Sequence, residues 1–194
     1  MGRAESIIRI LVGPLLAVLW VSSGLAGQGG VTLSTEAETG LKHWKITEHG
    51  LDLELIQVPP DFIRASYAAR GLPPEVSEAV ATRCVFGTIV RNVSQSALSY
   101  RVADWRHVKA DGTELPIKTK SEWLEEWHGM GVRFSWSILA DAPTFAVGDW
   151  IQGFTTLDAP HGSRVTLKVV WTIEGKRYAK VLSNLECAPA PQQP

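Results

Sequence analysis

Hydrophobic and polar residues alternate along most of the chain, with the period of two that is typical of half-buried β-strands. In the run LDLEL, residues 51–55, three leucines alternate with two acidic residues. This strand and the preceding run HWKITEHG are predicted to form a hairpin that turns at His49-Gly50. The run VRFSWSIL, residues 132–139, alternates in the same way and predicts a strand with Trp136 on its buried face.

The second half of the chain repeats this pattern. The runs CVFGTIVRN and ALSYRVADW flank the polar turn VSQS and are predicted to pair as a hairpin. WRHVKADGTELPI predicts another hairpin, with Asp111-Gly112 at its turn. DWIQGFTTL, RVTLKVVW and KRYAKVL supply three more strands, and the last two are predicted to turn at Glu174-Gly175. About nine strands with regular turn signals predict an all-β antiparallel β-sandwich.

Two stretches depart from the strand period and predict helices. Residues 60–82 contain two short helical runs, each opened by a Pro-Pro pair, so a short helical insertion is expected between strands. In KSEWLEEWHGM, Ser121 is the predicted N-cap and Gly129 the C-terminal stop. Trp123 and Trp127 lie four residues apart on one face of this helix. That face is expected either to cap an open end of the sandwich or to bind a partner.

The N-terminus has a different character from the rest of the chain. Basic residues precede an apolar run at residues 10–21, and Gly24 and Ala26 follow at a spacing that signal peptidases accept. This layout predicts a secretory signal peptide, with an uncleaved membrane anchor as the alternative. The predicted organisation is a signal peptide at 1–26, a flexible leader at 27–40, a β-sandwich domain at 41–187 and a disordered tail at 188–194.

Composition and cysteine content agree with an exported domain. The 194 residues have a net charge of −1, and 45% are apolar, so the chain can form a sizeable core and has no excess of basic residues for binding nucleic acid. Cys84 and Cys187 are the two cysteines. In an oxidising compartment such a pair is expected to close as a disulfide. We therefore expect a periplasmic or secreted protein.

Part of the chain resembles a known kind of module. The run FGTIVRNVSQSALSYRVADWRHVKADGTEL combines a strand, an Asn-led turn, an alternating strand and an Asp-Gly hairpin, and FAVGDWIQGFTTLDAP follows it. Together, over roughly residues 84–172, these runs resemble the immunoglobulin-like modules of exported bacterial proteins. The resemblance implies an immunoglobulin-like sandwich with a binding or accessory role, and it transfers no catalytic residue. No Tyr lies two residues before Cys187, so the tyrosine corner of antibody domains is absent there.

The sequence favours binding over catalysis. It contains no G-x-S-x-G or H-E-x-x-H motif and no catalytic cysteine context. Tryptophan is abundant, with eight in the chain, and this residue is enriched at binding hot spots. The predicted function is therefore a non-enzymatic accessory protein that binds another cell-envelope protein and needs no cofactor. The predicted partner-binding residues are Trp105, Trp123, Trp127, Met130 and Trp150.

A periplasmic metal-binding protein is the alternative. Imidazole and thioether groups suit copper, and His128 and Met130 are two residues apart in the sequence. The predicted copper ligands are these two residues together with His107 and His161. The interpretation without a metal site places Met130 in apolar packing and the histidines at surface turns.

Overall fold

Eleven strands form two antiparallel sheets in the computed structural model of the chain, which describes residues 30–190. The first sheet consists, in hydrogen-bonded order, of β1 (Thr32–Thr35), β2 (Lys42–Glu48), β3 (Leu51–Gln57), β4 (Cys84–Asn92) and β9 (Trp150–Leu157). The second consists of β7 (Glu114–Pro116), β6 (Arg106–Val108), β10 (Arg164–Ile173), β5 (Leu98–Tyr100) and β8 (Thr144–Phe145), and β11 (Lys176–Glu186) pairs with β10. The predicted all-β class with antiparallel sheets is confirmed.

The main hydrophobic core lies between the two sheets. Alternation along each strand sends one row of side chains inward, so Leu53 and Phe86 from the first sheet share this core with Leu167 and Trp171 from the second. The Cys84–Cys187 disulfide joins the start of β4 to the residue after β11, with an S–S distance of 2.06 Å. The predicted disulfide is confirmed.

The hairpin predictions have different outcomes. Three are confirmed: β2–β3 turns at His49-Gly50, β6–β7 at Asp111-Gly112, and β10–β11 at Glu174-Gly175. The β4–β5 hairpin is wrong, because β4 pairs with β3 and β9 while β5 pairs with β8 and β10 in the other sheet.

Asn92 explains why the chain changes sheets after β4. Its Nδ2 donates to the carbonyls of Ser96 and Ala146 at 2.8 and 3.0 Å, and its Oδ1 accepts from the Ser94 N–H at 3.0 Å. These bonds hold a wider turn that crosses from one sheet to the other. Asn92 is 1% exposed, so its amide compensates buried backbone groups that a tight hairpin would have paired.

A layer of three helices covers part of the outer face of the first sheet. The helices are α1 (Pro60–Ala68), α2 (Pro74–Ala81) and α3 (Lys120–Gly129). Arg64 ties α1 to α2, donating to Glu78 at 2.6 and 2.9 Å and to Asp61 at 2.9 Å. The first two helices confirm the insertion predicted at 60–82. A second hydrophobic core lies between this layer and the sheet, where Trp123 and Trp127 pack with Tyr67.

Helix α3 begins earlier than the sequence predicts. Its N-cap is Thr119, which forms a capping box: the Thr119 hydroxyl accepts from the Glu122 N–H, and the Glu122 carboxylate accepts from the Thr119 N–H at 2.7 Å. The predicted cap, Ser121, instead donates its hydroxyl to Asp141 at 2.5 Å. Ser121 is therefore inside the first turn.

Replacing Thr119 with Ala is expected to lower the free energy of unfolding by about 1 kcal/mol, because the Glu122 N–H loses the hydroxyl that accepts its hydrogen bond. Thr119→Ser keeps the hydroxyl and should remain near wild type. Urea unfolding followed by tryptophan fluorescence measures both variants. Equal losses for Ala and Ser would show that the capping hydroxyl is not the stabilising group.

The predicted boundaries of the sandwich domain need two corrections. The predicted leader contains β1, which pairs with β2 from Thr32 opposite Lys45 to Thr35 opposite Lys42. At the other end, Ala188 is 2% exposed, and its carbonyl accepts from the Gly162 N–H at 3.0 Å. The predicted signal peptide, and residues 191–194 of the predicted tail, lie outside the described residues. Within 30–190, no helix is long and apolar enough to cross a membrane.

Candidate functional site

A groove with a volume of about 540 Å³ lies between α1 and the outer face of the first sheet. We call it the outer groove. This volume is within the range of small-ligand and peptide-side-chain sites. Its lining is mostly apolar and aromatic, and consists of Ile56, Phe62, Ser66, Tyr67, Arg70, Gly87, Thr88, Ile89, Trp136, Ser137, Gln152, Gly153 and Phe154.

The first wall of the outer groove is α1. Ile63 and Tyr67, four residues apart, are almost completely buried and fix this helix on the sheet. The neighbouring stripe, Phe62, Ser66 and Arg70, repeats the spacing of four and borders the groove. Phe62 is 57% exposed. This wall therefore has an apolar ring at one end and, two residues beyond the last residue of α1, the Arg70 guanidinium at the other.

The floor of the outer groove consists of outward-facing residues of β3, β4 and β9. In β4, Phe86 and Val90 face the main core, so Gly87 and Ile89 face outward. Gly87 is opposite Phe154 of β9, and Ile89 is opposite Gln152. Gly87 adds no side chain to the floor.

The second wall is an irregular segment where the sequence predicts a strand. Residues 132–136 have no regular secondary structure, and Trp136 is 71% exposed. The predicted strand at 132–139 and the predicted core position of Trp136 are therefore wrong. The physical reason is Ser137, whose φ of 72° is in the left-handed region and turns the chain out of strand conformation.

Two hydrogen bonds hold Ser137 and its neighbours against β9, and a third joins Ser137 to α1. The Ser137 carbonyl accepts from the Phe154 N–H at 2.5 Å, the Leu139 N–H donates to the Phe154 carbonyl at 3.0 Å, and the Ser137 hydroxyl lies 2.7 Å from Tyr67 Oη. A non-glycine residue with positive φ costs about 1–3 kcal/mol and persists only where its surroundings hold it. Burial raises the pKa of Tyr67, which keeps the phenol neutral in this contact.

Gly153 allows the Ser137–Leu139 backbone to approach β9. A Cβ at position 153 would lie 2.5 Å from both the backbone N and the Cα of Leu139. Real side chains do not approach a backbone so closely, so any larger residue would push this segment away. Gly153 therefore positions the wall that carries Trp136.

Gly153→Ala is expected to lower the free energy of unfolding by about 1–3 kcal/mol, since the new methyl group has to displace the backbone of Leu139. Gly87→Ala is the matched control, because a Cβ at position 87 meets Val58 at an ordinary 3.6 Å. Thermal unfolding of both variants tests this. If the two substitutions cost the same, the close approach at Gly153 is not what matters.

A buried carboxylate lies on the same face of the sheet beyond the groove. Asp52 is 6% exposed. It accepts from Thr47 Oγ1 at 2.8 Å and from Arg91 Nη1 at 3.1 Å, and Lys45 Nζ lies 3.1 Å away. Burial by itself raises the pKa of Asp52, but the three hydrogen-bond donors together outweigh burial and lower it below the ordinary value.

This pKa shift predicts how stability depends on pH. An aspartate with a lowered folded-state pKa stabilises the fold above its unfolded value of about 4, and this contribution is lost as the pH falls through the folded pKa. Asp52→Asn should therefore be less stable than wild type near neutral pH, with a difference that shrinks below about pH 4. Urea unfolding across this range measures the difference. A constant difference at all pH values would contradict the prediction.

The structure places the predicted partner-binding residues in two different environments. Trp105, Trp123 and Trp127 are 1%, 0% and 0% exposed, so their prediction as contact residues is corrected: they fill the two cores. Met130 and Trp150 are 44% and 58% exposed. Trp150 is opposite Arg91 at the end of β9, on the face that carries the outer groove.

Sequence reasoning did not find Phe62 and Trp136, the exposed aromatic residues of the outer groove. For Phe62 a signal existed, since residues 62, 66 and 70 repeat the helical spacing beside the buried pair 63 and 67. For Trp136 the alternation of apolar and polar residues predicted burial, although the side chain is exposed. Its exposure depends on the positive φ of Ser137, and a serine in a sequence does not predict a positive φ.

The predicted copper ligands lie on separate elements. His107 is on β6 in the second sheet, His128 and Met130 are at the end of α3, and His161 is in the turn between β9 and β10. Among residues 30–190, no three His, Cys, Asp or Glu side chains come close enough to hold a metal ion. Nothing in this arrangement gathers the predicted set into one site.

His107 lines a second cleft, whose lining includes the charged residues Lys109 and Asp158. It is 7% exposed, and its Nδ1 has no hydrogen-bond partner within the described part of the chain. Burial, aided by Lys109, lowers the pKa of His107 although Asp158 opposes the shift. The imidazole is therefore neutral at neutral pH.

Comparisons of the chain with models of known protein families, with curated proteins and with solved structures found no match.

Proposed function

We propose that this protein is a non-enzymatic, exported interaction protein that binds an extended segment of another cell-envelope protein in the outer groove. The observation that supports this most strongly is Trp136, which is 71% exposed on the rim of a preformed apolar groove. Large exposed aromatic residues beside a pocket are typical of binding hot spots. Exposing such an apolar surface to water is unfavourable in free energy unless a partner covers it.

The shape of the groove favours a protein segment as the ligand. Phe62 lies on the wall formed by α1 and Trp136 on the wall formed by the irregular segment, and Gly87 adds no side chain to the floor. An apolar side chain of a partner can enter between the two rings, while Gln152 and Ser66 offer polar groups to the partner's backbone. A few anchoring side chains with polar surroundings are typical of peptide recognition.

Export and the finer fold class belong to the same proposal. Disulfides persist in oxidising compartments, so the Cys84–Cys187 bond supports a periplasmic or secreted location. Two antiparallel sheets around one core, bridged by a disulfide, support the immunoglobulin-like interpretation of the sequence. The helical layer is an addition to that plan, and it supplies one wall of the groove.

Site-specific photo-crosslinking in the native host tests the proposal. Benzoylphenylalanine is placed at position 62 or at position 136 of the full chain, and at position 181 as a control. Val181 is 51% exposed and lies on β11 in the second sheet, so it matches the groove positions in exposure and not in location. We expect both groove positions to crosslink the same envelope protein and position 181 not to do so.

The crosslinked protein is then purified and its affinity measured. Trp136→Ala should weaken binding about tenfold or more, the size expected for a central aromatic anchor, while Val181→Ala should leave the affinity unchanged. Identical crosslinks from all three positions, or none from a folded protein with an intact disulfide, would overturn the proposal.

A further inference from the structure

Two arginines stand together at one end of the outer groove. Arg70 and Arg133 both line a small adjoining pocket of about 370 Å³, which they share with Phe134, Ser135 and Trp136. Both arginines are exposed. Arg70 Nη1 donates to the Ser66 carbonyl at 2.6 Å, and within residues 30–190 neither guanidinium has a carboxylate within 4 Å.

Within residues 30–190, the surroundings of the two arginines also contain no acidic side chain. The chain's 19 basic and 20 acidic residues nearly balance, and four of the nine arginines in residues 30–190, among them Arg64, Arg83 and Arg91, form ion pairs. The residues that line the outer groove and its adjoining pocket include no Asp or Glu. The end of the groove at Trp136 is therefore a surface with two positive charges and no internal counter-charge.

The backbone beside Trp136 favours a peptide over a lipid. Within the described part of the chain, the N–H groups of Arg133, Phe134 and Ser135 donate no hydrogen bond to another backbone group. Phe134 packs on Tyr67 and Trp127, with ring centroids 5.8 and 5.9 Å apart, and this anchors the segment. An anchored segment with unpaired backbone donors can pair with an extended peptide, whereas an acyl chain leaves those donors unused.

We infer that the segment bound in the outer groove is acidic: Asp or Glu side chains of an extended peptide are held by Arg70 and Arg133, while a neighbouring apolar side chain packs between Trp136 and Phe62. This inference rests on the proposed function and adds the chemistry of the partner. Guanidinium groups bind carboxylates through two parallel N–H donors. Charge complementarity then sets the direction of the peptide, with its acidic end at Arg133.

A peptide array tests the inference. The purified full chain is applied to a random array of decapeptides with acetylated N-termini and amidated C-termini, so that side chains carry every charge. We expect bound peptides to be enriched in Asp or Glu next to a large apolar residue. For the best binder, replacing its acidic residues by Asn or Gln should weaken the affinity about tenfold or more, the size expected when hydrogen bonds to a charged group are lost.

The variants separate charge from shape. Arg70→Ala with Arg133→Ala should abolish the acidic preference, and Arg70→Lys with Arg133→Lys should retain part of it. Arg177→Ala is the control, because Arg177 is an exposed arginine on β11 in the second sheet, and it should change nothing. Equal binding of acidic and amide peptides, or binding to anionic lipid vesicles in place of peptides, would overturn the inference.

Failure of this inference differs from failure of the proposed function. If Trp136→Ala weakens peptide binding while the double arginine variant binds as wild type, the groove binds its partner without reading charge, and only the inference fails. If neither variant changes binding to the array or to the crosslinked partner, the outer groove is not the binding site, and both fail.

Discussion

Trp123→Ala is expected to lower the free energy of unfolding by about 3–5 kcal/mol, the range for a large aromatic removed from a packed core. Trp123 is 0% exposed and lies in the second core, 5.8 Å from Trp127 between ring centroids. Its Nε1 donates to Thr156 Oγ1 at 3.1 Å, and Lys118 Nζ lies 3.6 Å above its ring. The substitution leaves a cavity under α3 and removes one of the two buried tryptophans that hold this helix on the sheet.

Trp150→Ala is the matched control. Trp150 is 58% exposed at the end of β9, so its truncation should change stability by less than about 1 kcal/mol. Urea unfolding of both variants, followed by circular dichroism, measures the difference. A small loss for Trp123→Ala would mean that the second core contributes little to folding, and the helical layer would then be only loosely attached.

The second large effect is expected from the disulfide. Cys84 and Cys187 are 103 residues apart in sequence and both are 0% exposed. In the chain-entropy account, closing a loop of about this length restricts the unfolded chain and contributes about 4.7 kcal/mol, and measured losses on removing a native disulfide are typically about 2–5 kcal/mol. Replacing both cysteines with Ala should therefore lower the free energy of unfolding by an amount in that range.

Reduction provides the control for the disulfide experiment. Wild-type protein unfolded in the presence of dithiothreitol should have about the stability of the double alanine variant, because both lack the cross-link. The variant itself should not respond to the reductant. If the variant is as stable as oxidised wild type, the bond contributes nothing and the link between the two sheets depends on packing alone.

Alternation of apolar and polar residues predicts the buried face correctly in the main core and predicts a strand wrongly beside the second core. In β3 and β4 the period of two identifies the residues between the sheets, because each inward side chain meets the opposite sheet. The same rule misleads at residues 132–139, where the alternation is genuine. There Val132, Phe134 and Ile138 pack on the helical layer and the edge of β9 without forming a strand, so the same pattern arises from an irregular segment on a second core.

The structure buries the two tryptophans of α3, for which the sequence leaves capping and partner binding open, and exposes Trp136, which the sequence predicts to be buried. On a helix, two tryptophans four residues apart require a surface to cover them, and the sequence does not say which one. The structure supplies it from the outer face of the first sheet, at Val85 and Phe154. Trp136 is displaced from that core because Trp127 and Tyr67 already fill it and Ser137 turns the chain outward.

The sequence by itself determined the all-β class, three of the hairpins, the helical insertion and the cysteine pair, because all of these depend on local periodicity, turn chemistry or residue counting. Only the tertiary structure decided which face of the first sheet the helices cover, and therefore which aromatic residues are buried and where the outer groove lies. Those outcomes depend on contacts between residues far apart in the chain, such as Tyr67 with Ser137 and Gly153 with Leu139. No local pattern encodes such contacts, since each requires two segments whose positions are set by everything folded between them.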